Sequence, residues 1–184
     1  MNDTRDRILQ AALDLFIERG YEKTSLREIA EQVGVTKAAL YYHFSNKEEI
    51  LEKLIEPIFT GQKLAAEFLG SKPGVEDWSK MLASLVAWML PQRRLFELME
   101  NNRNTLQSLS HDSKHFEAHA ALHKSLDAVM SDKTTPLADR VRIAGAIGLI
   151  VGALGMSGKT FLDAPPDELR ALLVEAINDV LRVG

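Results

Sequence analysis

The chain has 184 residues, a formal net charge of −4 at pH 7 and no cysteine, with 46% hydrophobic and 26% charged residues. This length and balance fit one or two globular domains, and the missing cysteine excludes disulfides, thiolate zinc sites and cysteine nucleophiles. No apolar signal segment follows the charged N-terminus, and the long apolar run at 143–158 is shorter than the ~20 residues of a membrane span. We therefore expect a cytoplasmic protein without a membrane segment.

Apolar residues recur at helical spacing along the chain, and no sustained strand pattern interrupts them. A first helix is predicted over residues 4–19. Ser25 and Glu28 form a capping box, in which each side chain accepts a hydrogen bond from the other residue's amide, and this box opens a second helix. A short third helix is predicted over 36–43, and a long fourth helix runs from 48 towards 69.

Five further helices are predicted in the rest of the chain, separated by short segments rich in helix-breaking residues. They cover residues 75–90, 92–109, 113–130, 136–155 and 166–183. The predicted fold is all-α, with a small three-helix N-terminal domain followed by a larger helical C-terminal domain. We place the first domain at residues 1–53 and the second at residues 54–184.

The second and third predicted helices have the arrangement of a helix-turn-helix, a motif that binds DNA. Both helices are short, and Gly34 and Val35 form the turn between them. Leu40 and Phe44 are spaced i, i+4 and would anchor the third helix to its own core. Lys37 and the neighbouring tyrosines can then reach base edges or phosphates from the opposite face.

Positive charge is concentrated on this motif, although the N-terminal domain as a whole is acidic. Residues 1–53 hold ten acidic and eight basic side chains, whereas residues 23–47 hold four basic and two acidic ones. Phosphate contacts need lysine and arginine, so the basic segment is where DNA would lie. We expect DNA affinity to depend on a few placed contacts and on dimer geometry rather than on bulk charge.

The stretch from about Arg5 to Leu54 resembles the TetR family of bacterial repressors. The resemblance is carried by TSLREIA at 24–30, the Gly34-Val35 turn, LYYHF at 40–44 and KEEIL at 47–51. It implies that the third helix enters the major groove of an operator. The base-facing candidates are then Thr36, Lys37, Ala38 and Tyr41. The phosphate-facing candidates are Thr24, Ser25, Arg27, Tyr42, His43 and Lys47.

A glycine-rich helix in the C-terminal half is a candidate subunit interface. Each helical glycine costs about 1 kcal/mol of propensity relative to alanine, and a close helix–helix approach would offset that cost, inside the monomer or between subunits. The family resemblance implies a homodimer formed by residues 136–157 and 166–183. The glycines concerned share one side of the predicted helix and are Gly145, Gly148, Gly152 and Gly155.

Large apolar side chains in the C-terminal half are candidates for an effector pocket, because the family resemblance implies that a small molecule is held among these helices. Such side chains suit a hydrophobic or aromatic ligand, and they equally suit a plain protein core. The candidates are Trp78, Met81, Leu85, Trp88, Met89, Phe96 and Met99.

Four histidines recur every four residues and form an oblique stripe on one predicted helix. They are His111, His115, His119 and His123. The spacing is known among metal ligands, and it also suits imidazoles that border a core without any ligand. We assign His119 and His123 to the effector pocket and predict no metal or other cofactor, while the stripe's binding of a metal or ligand stays open.

Together these features predict a dimeric DNA-binding transcriptional regulator, namely a repressor released from a pseudo-palindromic operator by a small hydrophobic or aromatic ligand. The sequence alone does not separate repression from activation. An enzyme is not expected, because no nucleophile elbow, glycine-rich phosphate loop or paired metal motif is present. The alternative is a helical ligand-binding or scaffold protein that binds no operator.

Overall fold

The computed structural model describes residues 3–71, 74–102, 105–106, 114–155, 161 and 163–182. These residues are helical and include no strand, which confirms the all-α prediction. None of the helices in this part of the chain is both long and apolar enough to cross a membrane. The helices are α1 (Asp3–Arg19), α2 (Leu26–Val33), α3 (Lys37–His43), α4 (Lys47–Gly70), α5 (Val75–Met89), α6 (Arg93–Asn101), α7 (Lys114–Ser131), α8 (Leu137–Ile150) and α9 (Pro166–Leu181).

Side-chain caps define where the helices of the DNA-binding motif begin. Ser25 and Glu28 form the predicted capping box at the start of α2. Thr36 caps α3, and Asn46 caps α4. Gly34 ends α2 in the left-handed conformation, with φ of 75°, which a residue with a Cβ adopts at a cost. The local sequence therefore fixes the lengths of α2 and α3.

A first hydrophobic core joins α1, α2, α3 and the first half of α4. Its fully buried side chains include Ile8, Phe16 and Ile29. Leu95 and Leu98 of α6 belong to the same core, so a helix from the C-terminal half completes the N-terminal domain. Because α4 also runs unbroken past residue 54, the two halves share two helices.

A second hydrophobic core lies between α5, α8 and α9. Trp78 and Leu82 of α5 are buried there against Ile143 and Ala146 of α8 and Ile177 of α9. The second half of α4 packs along α7, and α7 also contacts α8. The last helices thus form a bundle at the end of the molecule away from α2 and α3.

Two helix ends differ from the sequence-based expectation. The helix predicted over 92–109 ends as α6 at Asn101, where Asn102 turns its side chain back onto the carbonyl of Leu98. The helix predicted over 136–155 ends as α8 at Ile150, and Val151–Gly155 continue it as a wider π-helical turn. Two glycines in that turn weaken the α-helical preference there.

Candidate nucleic-acid interface

Helix α3 is held by its buried side and presents its other side to solvent. Leu40 and Phe44 are 0% and 1% exposed, which confirms them as the anchors of this helix. The exposed side chains on the opposite side are three of those predicted to face DNA bases, together with Tyr42. This surface is here called the recognition face, and it comprises Lys37, Ala38, Tyr41 and Tyr42.

The tyrosines of the recognition face are unusually exposed for aromatic residues. Tyr42 is 86% exposed and Tyr41 is 45% exposed. The ammonium of Lys37 lies 5.5 Å from the centre of the Tyr41 ring, within range of a cation–π contact. Hydroxyl tips and one cation thus project from a helix whose Ala38 leaves room for close approach to a partner surface.

Two side chains near the start of α2 were predicted to contact phosphates, and both are engaged in short-range contacts. The Arg27 guanidinium donates to Glu31 at 2.8 Å, and both groups are well exposed. An exposed ion pair contributes little stability, so Arg27 can exchange this carboxylate for a phosphate. The Ser25 hydroxyl donates to Glu28 at 2.7 Å. Hydrogen bonds from Ser25 lower the pKa of Glu28 and keep it ionised.

The structure places three other predicted DNA contacts behind or beside the recognition face. Thr24 is buried, and its hydroxyl donates to the carbonyl of Gly20 at 2.9 Å. Lys47 donates to the carbonyl of Tyr21 at 2.8 Å, with its ammonium 4.1 Å from the centre of that ring. His43 is half-buried and meets Tyr42 edge-on. Thr24 and Lys47 therefore brace the turn after α1.

Two arginines of α1 support the motif and were not identified from the sequence. The guanidinium of Arg5 lies 5.1 Å from the centre of the Phe44 ring, at the end of α3. Arg7 donates at 2.6 Å to the carbonyl of Val33, the last residue of α2. Their charge adds to the basic character of the motif. Only these tertiary contacts of α1 reveal the role of the two arginines, because both lie outside the local pattern.

A polar connection links the turn after α1 to α6. The amide of Tyr21 donates at 2.8 Å to Oδ1 of Asn102, a side chain that is only 6% exposed. Arg94 of α6 forms an ion pair with Asp14 of α1 at 2.6 Å. Burial raises the pKa of the Tyr21 phenol, and the nearby Glu48 carboxylate adds to the rise. The backbone of Tyr21, whose carbonyl accepts a hydrogen bond from Lys47, is thus also held by the segment at the end of α6.

The predicted effector-pocket residues are shared between the two cores. Trp78 and Met89 are buried in the second core, and Met81 and Leu85 pack against it. Met99 packs against the first core instead. The structure therefore groups most of these side chains but does not gather them around one cavity. Those that contact both cores are Trp88 and Phe96.

Trp88 lies directly on α4 at a glycine. A Cβ atom added to Gly61 would come within 2.6 Å of the Trp88 ring. An open cleft of about 340 Å³ lies further along the same region, and Met81 is the pocket candidate found in its lining. The cleft is lined by Phe68, Ser71, Asp77, Lys80, Met81 and Ser84.

Two histidines of α7, His119 and His123, lie on its solvent-exposed surface. His119 and His123 are exposed, because Leu122, Leu126 and Val129 occupy the inner side of the helix. Partial burial lowers the pKa of His119, and neighbouring His123 lowers it further. His111 and the side chain of His115 lie outside the described residues. Where side chains are described, no group of three or more is arranged to hold a metal.

The fold and this geometry define a helix-turn-helix DNA-binding domain joined to a helical bundle. Residues 8–54 match the family described as bacterial regulatory proteins, tetR family. The N-terminal stretch of the chain therefore matches this family, as the resemblance over these residues indicated.

Curated relatives match this chain through the same N-terminal stretch. The biofilm operon icaADBC negative transcriptional regulator IcaR of Staphylococcus epidermidis is 47% identical over 55 residues, which is 30% of each chain. The transcriptional regulator TtgR of Pseudomonas putida is 43% identical over 56 residues, 30% of this chain and 27% of that protein. The matched region thus spans less than a third of these relatives' length.

Solved structures match nearly the whole chain at low sequence identity. The ketosteroid transcriptional regulator KstR2 of Mycobacterium tuberculosis superposes with a TM-score of 0.71 at 17% identity, covering 99% of this chain and 95% of that one. AmtR of Mycobacterium smegmatis gives 0.59 at 25% identity, covering 98% and 86%. The chain therefore shares its overall fold, including the C-terminal bundle, with these solved structures.

Proposed function

We propose that this protein is a dimeric transcriptional repressor that binds a pseudo-palindromic operator through α3 and releases it when a small hydrophobic or aromatic ligand binds. The observation that carries the proposal is the recognition face, in which exposed Lys37, Tyr41 and Tyr42 project from a helix anchored by buried Leu40 and Phe44. IcaR, which matches this domain, is named a negative regulator, and this supports repression over activation.

The recognition face suits the major groove, which is about 12 Å wide and admits one α-helix. Thr36 and Lys37 at the start of α3, with Ala38 and Tyr41, are the side chains proposed to contact bases. Tyr42, Arg27 of α2 and its cap residue Ser25 are proposed to contact DNA phosphates beside that groove. His43 is a peripheral contact, and Thr24 and Lys47 act by positioning the backbone.

An exposed apolar stripe on α8 and α9 supports a homodimer through residues 136–157 and 166–183. Leu137 and Val141 of α8 are 67% and 62% exposed, and Leu172 of α9 is 55% exposed. A Cβ atom added to Gly148 or Gly152 would meet nothing within 4 Å. These glycines therefore do not serve packing within the monomer, whereas exposed apolar surface of this kind marks protein interfaces.

The route from ligand to DNA is proposed to run through α6. Trp88 and Phe96 pack on both cores, so a ligand that favours a different packing of these rings shifts the position of α6. Asn102 would carry that shift to Tyr21 and hence to the start of α4. The ligand changes operator affinity only by its differential affinity for the two arrangements. We propose that the boundary between the DNA-binding domain and the ligand-binding domain lies between residues 53 and 54. We also propose that the protein acts in the cytoplasm, where the operator lies.

Selection of bound sequences from random DNA tests operator binding, and gel shifts with the selected sequence then test the recognition face. Lys37→Ala and Tyr42→Ala are each expected to weaken binding by about 1–3 kcal/mol, roughly five- to 150-fold. Lys124→Ala removes another exposed lysine, on α7, and should leave binding unchanged. Failure to enrich any sequence would favour the scaffold alternative, and equal binding by all three variants would refute the assigned face.

Intrinsic fluorescence tests the effector pocket, because both tryptophans of the chain are pocket candidates. Hydrophobic and aromatic compounds are screened for release of the selected DNA. A releasing compound is expected to change the emission of Trp78 or Trp88 and to raise the thermal midpoint of the free protein. Release without any change in tryptophan emission would place the effector elsewhere.

A further inference from the structure

Two imidazoles on the outer surface of α7 face each other across one helical turn. The Nε2 atoms of His119 and His123 are 3.2 Å apart, and the ring centres are 4.3 Å apart. Both side chains are exposed, so a solute can reach the two nitrogens. Nothing in the proposed operator or effector binding uses this pair.

The separation of the two nitrogens matches the requirement of a chelated metal ion. A late first-row divalent metal binds imidazole nitrogen at about 2.0–2.1 Å, which at a near-tetrahedral angle sets two ligand nitrogens about 3.3 Å apart. The same separation also fits a hydrogen bond from one neutral imidazole to the other. These two interpretations differ in whether the pair takes up a metal from solution.

We propose that His119 and His123 form a two-imidazole binding site for a late first-row divalent metal ion such as Ni²⁺, Cu²⁺ or Zn²⁺. Imidazole is a preferred ligand of these metals, whereas Mg²⁺ and Ca²⁺ require oxygen ligands. The described side chains provide no third ligand. The two exposed imidazoles leave the other coordination positions open to water or an external group, so the metal would be accessible from solvent.

The inner side of α7 fixes the position of the helix that carries the two imidazoles. Leu122 and Leu126 pack on the second core and hold the helix in place along α4. The i, i+4 positions therefore keep both rings on one outward face in the absence of metal. Because the second imidazole binds intramolecularly, the pair is expected to hold a metal far more tightly than either histidine alone.

Titration calorimetry of the full chain with NiCl₂, without any affinity tag, tests the proposal. One Ni²⁺ per chain is expected, and His119→Ala and His123→Ala are each expected to weaken binding by about a hundredfold. The paramagnetic resonance spectrum of the Cu²⁺ complex should show splitting from two nitrogens. Circular dichroism checks that each variant keeps the helical content of the unsubstituted chain.

The matched control keeps the number of histidines and changes only their spacing. In the double variant His123→Ala with Lys124→His, the imidazoles are five residues apart and lie on different sides of α7, so binding should be as weak as in His123→Ala. His115→Ala should change the affinity by less than about twofold. The proposal is overturned by absence of heat from the unsubstituted chain, by full binding in the double variant, by loss of binding in His115→Ala, or by splitting from a single nitrogen.

Discussion

Asn102 provides a direct test of how α6 is joined to the DNA-binding domain. Its Oδ1 accepts the amide of Tyr21 at 2.8 Å, and its Nδ2 donates to the carbonyls of Leu98 at 2.8 Å and Phe16 at 3.4 Å. The side chain is buried between α6 and the end of α1. The variant Asn102→Ala removes all three bonds while leaving the helix backbone intact.

The cost of this substitution comes from the one group that it leaves without a partner. The carbonyl of Leu98 still accepts the backbone amide of residue 102, and the carbonyl of Phe16 still accepts that of Gly20. The amide of Tyr21 alone loses its acceptor, and a buried unpaired donor costs about 1–3 kcal/mol. For a chain of this size, a loss of about 2 kcal/mol lowers the thermal midpoint by about 4–8 °C.

Thermal unfolding followed by far-ultraviolet circular dichroism measures this loss, and the adjacent asparagine provides the control. Asn101 is exposed and donates to the carbonyl of Ile17 at 3.3 Å. Asn101→Ala is therefore expected to change stability by less than about 0.5 kcal/mol. Equal midpoints for the two variants would show that the buried bond to Tyr21 does not hold the domains together.

Two further variants test the core and the subunit interface. Gly61→Ala brings a methyl group within 2.6 Å of the Trp88 ring and should lower stability by about 1–2 kcal/mol, since overpacking outweighs the gain in helix propensity. Gly70→Ala, which meets nothing within 4 Å, should not destabilise, and a similar loss in both would contradict the contact. Val141→Asp is expected to convert a dimer to a monomer, as measured by light scattering, and to weaken operator binding. The control Leu64→Asp, which changes an equally exposed side chain of α4, should leave the dimer intact. If Val141→Asp remains a dimer, the exposed apolar side chains of α8 do not form the subunit interface.

The features that the sequence predicted well are those set by neighbouring residues. The Ser25–Glu28 capping box and the Leu40–Phe44 anchor each involve side chains within four positions of one another. Helical periodicity and cap chemistry determine such contacts before any tertiary structure forms. The helix-turn-helix and its outward-facing side chains could therefore be identified from the sequence.

Contacts between distant segments could not be predicted in this way. Lys47 reaches a carbonyl 26 residues away, and Asn102 reaches an amide 81 residues away. Both residues carry polar groups that suit a surface, and periodicity does not reveal a buried backbone partner. The effector candidates show the same limit, because a pattern of large apolar residues predicts burial without identifying which of the two cores each side chain joins.

The length and continuity of α4 determine how motion at one end is felt at the other. Its 24 residues span about 36 Å, with the first turns fixed in the first core and Leu69 fixed in the second. A rod of that length converts a tilt of roughly 5° into a displacement of about 3 Å at its tip. In the proposed dimer such displacements would occur in both subunits, so a small rotation in each bundle would change the distance between the two copies of α3 by up to twice as much. The major grooves of DNA recur at a fixed spacing. A modest tilt of α4 would therefore move both copies of α3 out of alignment with successive grooves at the same time.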